Sequence, residues 1–369
     1  MGIPVEPLSA SQGSRFGVVS GFLLKLLRES ARLTQNEFAE LLGVDPATVY
    51  GWESGRRPLG ALRAGDLTRI RMLLTRHGAP PDACALLIDA LEADIIIGDT
   101  LTPDPISTSA HPLAASVHQR TLANLITWPI TGRPPLQLAD LIGRRGRGPR
   151  PDHPAFPLGT RHRFFDNLLL LAERCREPDD ALLRRQASYL LGCDPRPDSS
   201  EWLAGELGRA VRCANNDGAP GWLRVRSSAI ALAATGDREP LRAYLTRARD
   251  DGTQEVANLA YYAYWVGELG PAPMIDDTAM IHIAPSRWSG QLLLRHLLHR
   301  LRPGAGQGDL YARTLADLIA SHPHLLAADP AVHNALATVV EQMSGDSELM
   351  PQAQQDLANV AYAIRLARR

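Results

Sequence analysis

The sequence predicts an all-α protein, and three observations carry that prediction. Apolar residues recur every three or four positions along most of the 369-residue chain. No segment alternates apolar and polar residues convincingly enough to read as a half-buried strand. Pro, Gly and Asp interrupt the periodic stretches at intervals suited to helices of two to five turns. The apolar content of 45% excludes wholesale disorder, and the length supports two or three domains, each able to bury a core.

Taken in order, the helices from Phe16 to about Gly78 are short and cleanly punctuated. Asp82–Ile97 reads as another helix. Thr100–Pro112 is rich in Pro, Ser and Thr and is the best interdomain linker. Val117–Trp128 is a helix expected to stop at Pro129. Pro129–Thr160 is a connector rich in Pro, Gly and Arg, and its run Arg144–Pro151 reads either as a solvated loop or as an arm for DNA phosphates. Beyond Phe164 the helical segments become regular: Asp180–Leu191, Ser200–Cys213, Trp222–Thr235, Pro240–Asp250, Gln254–Leu269, Ser286–Leu301, Leu310–Ser321, Ala331–Met343 and Gln352–Ala367. Helix pairs with short turns bury their stripes by stacking, which predicts an α-solenoid of the tetratricopeptide or HEAT kind, with a helical bundle as the alternative. The expected domains are 1–80, 81–160 and 161–369.

Composition excludes whole classes of chemistry. Lys25 is the only lysine among 39 basic residues. No GxxxxGK phosphate loop exists, and a Schiff base or Ser–Lys protease would need Lys25 itself, which lies in an amphipathic helix. The dominance of Arg, Ala, Gly and Pro points to a GC-rich bacterial genome. Cys84, Cys175, Cys193 and Cys213 are too dispersed for a zinc set or a disulfide framework. The least charged long run, Ala83–Ile97, contains Asp89, Glu92 and Asp94, so no membrane helix is expected. Met1–Ser14 lacks a basic segment followed by an apolar one, and the expected location is the cytoplasm. A net charge of -1 leaves DNA binding, if present, to a local patch.

One segment is specific. Leu33–Pro58 reads LTQNEFAELLGVDPATVYGWESGRRP. Thr34 and Glu37 form a capping box. Phe38, Ala39, Leu41 and Leu42 give an apolar face, and Gly43 ends the helix. Asp45 is an N-cap with Pro46 at the first helical position of a second helix. Val49 and Trp52 turn that helix back onto the first, and Gly55 ends it. Two short helices around a glycine turn describe a helix-turn-helix.

Here the chain resembles the Cro/C1-type (XRE) helix-turn-helix regulators, of the actinobacterial kind, over about Phe16–His77. The pattern "TQxExA…LGV…VxxWExGxRxP" stands nearly intact. The resemblance implies a bundle of about five helices, the first Gly17–Ser30 with Val19, Phe22, Leu23, Leu26 and Leu27 as its inner stripe and the closing one Leu62–Arg76. It also implies binding to double-stranded DNA as a homodimer, the second motif helix lying in the major groove. It places Gln35 near a phosphate, at a helix start. It assigns Pro46, Ala47, Thr48, Tyr50 and Gly51 to the solvent-facing, base-reading side. Arg56 and Arg57 follow, where phosphates are expected, and Lys25, Arg28 and Arg32 extend the patch. None of the five reading positions offers the bidentate side chain that reads guanine or adenine, so modest direct readout is expected, with DNA shape supplying more. Residues 1–80 hold ten basic and seven acidic side chains, a local excess of the right sign.

Elsewhere the signals are bland. His296, His299, His322 and His324 lack the partners of a metal shell and read as solvent-facing or capping. Tyr261, Tyr264 and Trp265 share a helix face, most simply core and otherwise a ligand groove. Asp179–Asp180, Asp250–Asp251 and Asp276–Asp277 read as loop or capping carboxylates. No catalytic set and no cofactor motif emerges. The expected function is a transcriptional regulator, a repressor, whose helical C-terminal domain dimerises or senses a small molecule, peptide or protein. The alternative is a helical-repeat interaction scaffold tethered to DNA.

Overall fold

Helix α1 (Val18–Ser30) is enclosed on nearly every side. Its predicted stripe is buried, and so are Ser20, Gly21 and Leu24. Its neighbours explain this: α3 (Pro46–Glu53), α5 (Pro81–Leu101) and the short α7 (Ala139–Gly143) all pack against it. Asp94 of α5 caps its free N-terminus, accepting hydrogen bonds from the backbone N–H of Val19 and of Ser20, each at 2.9 Å. An oxygen acceptor there satisfies donors that a helix start otherwise leaves orphaned.

The computed structural model describes residues 16–102, 111–143, 151–176, 180–249, 252–269, 281, 283–327 and 330–367. Among these residues every regular element is helical. The Arg144–Arg150 stretch, the pairs Asp250–Asp251 and Asp276–Asp277, Asp179 and the middle of Thr100–Pro112 lie outside the described residues.

The chain divides into two compact units. The first comprises residues 1–116 and 121–184. Its spine is α5, whose Leu87, Ala90, Ala93, Ile96 and Ile97 are fully buried, against α1, α4 (Ala64–Arg76) and α8 (Leu158–Arg174). Small alanines on α5 let the helices approach closely. α5 runs four residues past the expected Ile97, into the supposed linker. The Asn167 amide of α8 donates to the carbonyl of Thr100 at 3.0 Å, which satisfies the last turn. α6 (Arg120–Thr131) likewise runs past Pro129, contrary to the expected stop. A proline forfeits one helical hydrogen bond, and two residues from the end that loss is small. The Trp128 ring meets Phe22 edge-on at 5.3 Å and holds this helix in the core.

The second unit comprises residues 117–120 and 185–369. It contains most of α9 (Ala181–Leu191), then α10 (Pro197–Thr235), α11 (Glu239–Arg249) and α12 (Gly252–Val266). α13 (Gln291–Arg300), α14 (Gly308–Ser321), α15 (Pro330–Ser344) and α16 (Pro351–Ala367) complete it. The two helices expected at 200–213 and 222–235 are one continuous α10. α13 starts later than the predicted Ser286, because Gly290 adopts φ +79° and breaks the helical path. Glu268 caps the new start, accepting from the N–H of Leu292 at 2.6 Å and of Leu293 at 3.0 Å. Most consecutive helices pack together, and α14 also touches α11, α12 and α16. Leu310, Ala312, Leu315 and Leu318 of α14 are fully enclosed as a result. In a stack of helix pairs each repeat touches its neighbouring repeats, and contacts reaching two or three helices along the chain suit such a stack as well as a bundle.

Candidate nucleic-acid interface

The motif forms as its caps dictate. α2 (Gln35–Leu42) begins at Thr34, whose Oγ1 accepts from the N–H of Glu37 at 3.2 Å while Glu37 Oε2 accepts from the N–H of Thr34 at 2.7 Å. The Thr34 backbone bond, followed by its hydroxyl, holds the Glu37 carboxyl below its usual range. Gly43 adopts φ +71°, and the N–H of Val44 reaches back to Ala39 O, a Schellman closure. α3 then starts at Asp45, whose Oδ1 accepts from the N–H of Ala47 at 2.7 Å. Phe38, Ala39 and Leu42 of α2 are buried with Val49 and Trp52 of α3. Leu41, placed on the apolar face from sequence, is 40% exposed instead.

α3 is held against α1 with no room to spare. A Cβ on Gly21 would stand 2.3 Å from the carbonyl oxygen of Trp52. Below this contact Arg28 forks onto Glu53, with Nε bonded to Oε1 and a terminal nitrogen 3.1 Å from Oε2. The other terminal nitrogen of Arg28 donates to Leu33 O at 2.6 Å. Gln35 Nε2 donates to Glu53 Oε2 at 2.7 Å. One enclosed carboxylate therefore ties the end of α1, the start of α2 and the end of α3 together. This network was not anticipated from sequence. Its signal is the acid of the WES triplet lying within reach of an arginine one helix away.

Pro46, Ala47 and Tyr50 are exposed on the outward face of α3, and Thr48 is half-buried beside them. Gly51, expected to face solvent, is buried: the aliphatic part of Arg57 lies across it, so that a Cβ there would meet Arg57 Cδ at 3.0 Å. Gln35 is half-buried with its amide committed to Glu53, which leaves its backbone N–H at the α2 start as the group nearest its expected role. Arg28 is buried and ion-paired, so it does not extend the patch. Arg32 is exposed and Lys25 half-buried.

Arg56 and Arg57 do more than trail the helix. The N–H of Arg57 bonds to Gly51 O at 2.9 Å and turns the chain back along α3. The Arg57 guanidinium then donates to Thr48 Oγ1 at 2.9 Å. The Arg56 guanidinium sits 4.9 Å over the ring of Tyr50. Two permanent cations thus lie along the exposed side of a helix that has none of its own.

A family model described as a helix-turn-helix domain matches residues 21–87. No curated protein and no solved structure matches the chain. No described helix is long and apolar enough to cross a membrane, and no described cluster of His, Cys, Asp and Glu has the makings of a metal site. The chain carries an N-terminal helix-turn-helix domain followed by a helical C-terminal region.

Proposed function

We propose that the protein is a sequence-specific regulator of transcription, of the Cro/C1 (XRE) type, that binds double-stranded DNA through α3. The carrying observation is the outward face of α3, uncovered and flanked by the guanidiniums of Arg56 and Arg57. An α-helix of this kind fits the major groove, where base edges can be told apart. Ala47 and the Thr48 methyl suit thymine methyl groups. Arg57 adds what the helix lacks, a planar fork able to meet guanine O6 and N7 once it exchanges its bond to Thr48. Arg56, stacked on Tyr50, and the N–H groups at the start of α2 bind phosphate on this reading.

On this reading the active species is a dimer, and the second unit supplies dimerisation or sensing. Repression is the simplest consequence, since occupying an operator obstructs transcription without further contacts. Selection of duplexes from a random pool by the full chain is the direct test. Enrichment of one short motif, lost when Thr48 and Arg57 are both replaced by alanine, is the expected result. Recovery of an unenriched pool at low salt would overturn it.

A further inference from the structure

In the second unit, several helices converge on a group of cations with no acid among the described residues beside them. Arg120 is the first residue of α6; His296 and Arg300 lie on one face of α13, a turn apart. His296 is 1% exposed, and neither ring nitrogen has a hydrogen-bond partner. The Nε atoms of Arg120 and Arg300 are also enclosed and unpartnered. Around them stand aromatic walls. The Trp265 ring lies 5.6 Å from His296 and has the Arg120 guanidinium 5.7 Å from its centre. Tyr262 and Tyr311 each lie 6.1 Å from His296. Of the aromatic face expected on α12 Trp265 joins this group, together with Tyr262 from beside that face, and His296 is neither solvent-facing nor a cap.

The charges that act on His296 are those of Arg120, Arg300 and His299, and all lower its basicity. Burial first, and then these cations, hold the imidazole well below its usual range, so it is neutral at neutral pH. Arg120 is pushed down to about 10, mainly by burial and next by Arg300, and it stays charged. Two half-buried guanidiniums with enclosed Nε atoms, and no carboxylate beside them among the described residues, are an unsettled arrangement. Buried charges are ordinarily paired, because desolvation otherwise costs several kcal/mol.

We propose that this group is a binding site for a small dianion, a phosphate monoester or a dicarboxylate, held by Arg120 and Arg300 with the neutral His296 as a third hydrogen-bonding group. Two guanidiniums are neutralised by a dianion, whereas a monoanion leaves one charge over. Forked guanidiniums match phosphate and carboxylate oxygens in two-point contacts. The neutral imidazole adds one N–H donor without competing charge. The tyrosine and tryptophan rings exclude water, which strengthens each contact. This site belongs to the second unit alone and stands whether or not α3 binds DNA.

The test is calorimetric titration of the full chain with inorganic phosphate and, separately, with succinate, each referred to chloride at equal ionic strength. Saturable binding of either is expected, and which one binds identifies the ligand chemistry. R120M and R300M should each weaken that binding at least tenfold. Both should unfold in chloride at or above the wild-type temperature, because each removes an uncompensated charge. The His296 ring nitrogen resonances, assigned by loss in H296Q, should move on titration of the unmodified chain, a readout that needs no cavity variant to fold. Absence of saturable binding by both probes would overturn the proposal, as would binding undiminished in both methionine variants or an unmoved His296 signal at saturation.

Discussion

Gly21 and Asp94 show how single positions set the placement of α3. Because a Cβ on Gly21 would penetrate a backbone carbonyl rather than a movable side chain, Gly21→Ala should destabilise the first unit by about 1–3 kcal/mol. Urea unfolding should show this as a lower midpoint at unchanged slope. Asp94 makes a pH-dependent contribution. Burial raises its carboxyl to about 7, against opposing hydrogen bonds from Ser20 and Val19. Burial raises Asp89 and Glu92 as well. A carboxyl with a raised pKa holds its proton better folded than unfolded. Its contribution is full below its ordinary value of 3.8 and is lost as pH climbs through about 7. Unfolding free energy measured between these limits should therefore fall as pH rises, with a shallower fall in Asp94→Asn.

Among the helices, α3 is governed by what lies beneath and beside it. The Arg28–Glu53–Gln35 network is enclosed, so removing the acid strands a buried guanidinium. Glu53→Ala should cost about 3–5 kcal/mol, and thermal unfolding should start correspondingly earlier. On the outer face the two arginines should separate by role. Arg56→Ala should weaken binding to every duplex alike and flatten the salt dependence by about one unit of slope. Arg57→Ala should also relax base preference at one position, by about 1–3 kcal/mol. Fluorescence anisotropy on matched and mismatched duplexes over a salt series distinguishes them. Identical profiles for the two variants would refute the assignment.

The whole molecule joins a helix-turn-helix motif to a large helical unit, while its net charge is only -1. Association with DNA on the proposed reading is thus driven by the local cations around α3 rather than by the protein's overall field. A dimer should place two copies of α3 about one helical turn, ~34 Å, apart. Footprinting should then show a pseudo-palindromic site with two protected half-sites, and a single unsymmetrical half-site would exclude that arrangement.

Helix existence, the caps at Thr34 and Asp45 and the turn at Gly43 were legible in the residues themselves. All are local: they depend on side chains within a turn or two of the groups they satisfy, so spacing along the chain carries the information. The burial of Gly51 beneath Arg57, the diversion of Arg28 to Glu53, the capping of α1 by Asp94 and the gathering of Arg120, His296 and Arg300 were decided by packing. Each joins residues that spacing along the chain does not pair, or that share a helix but take their role from its neighbours. A charged side chain reads the same on paper whether it ends in water, on an ion-pair partner or in an aromatic enclosure, and its neighbours in space settle which.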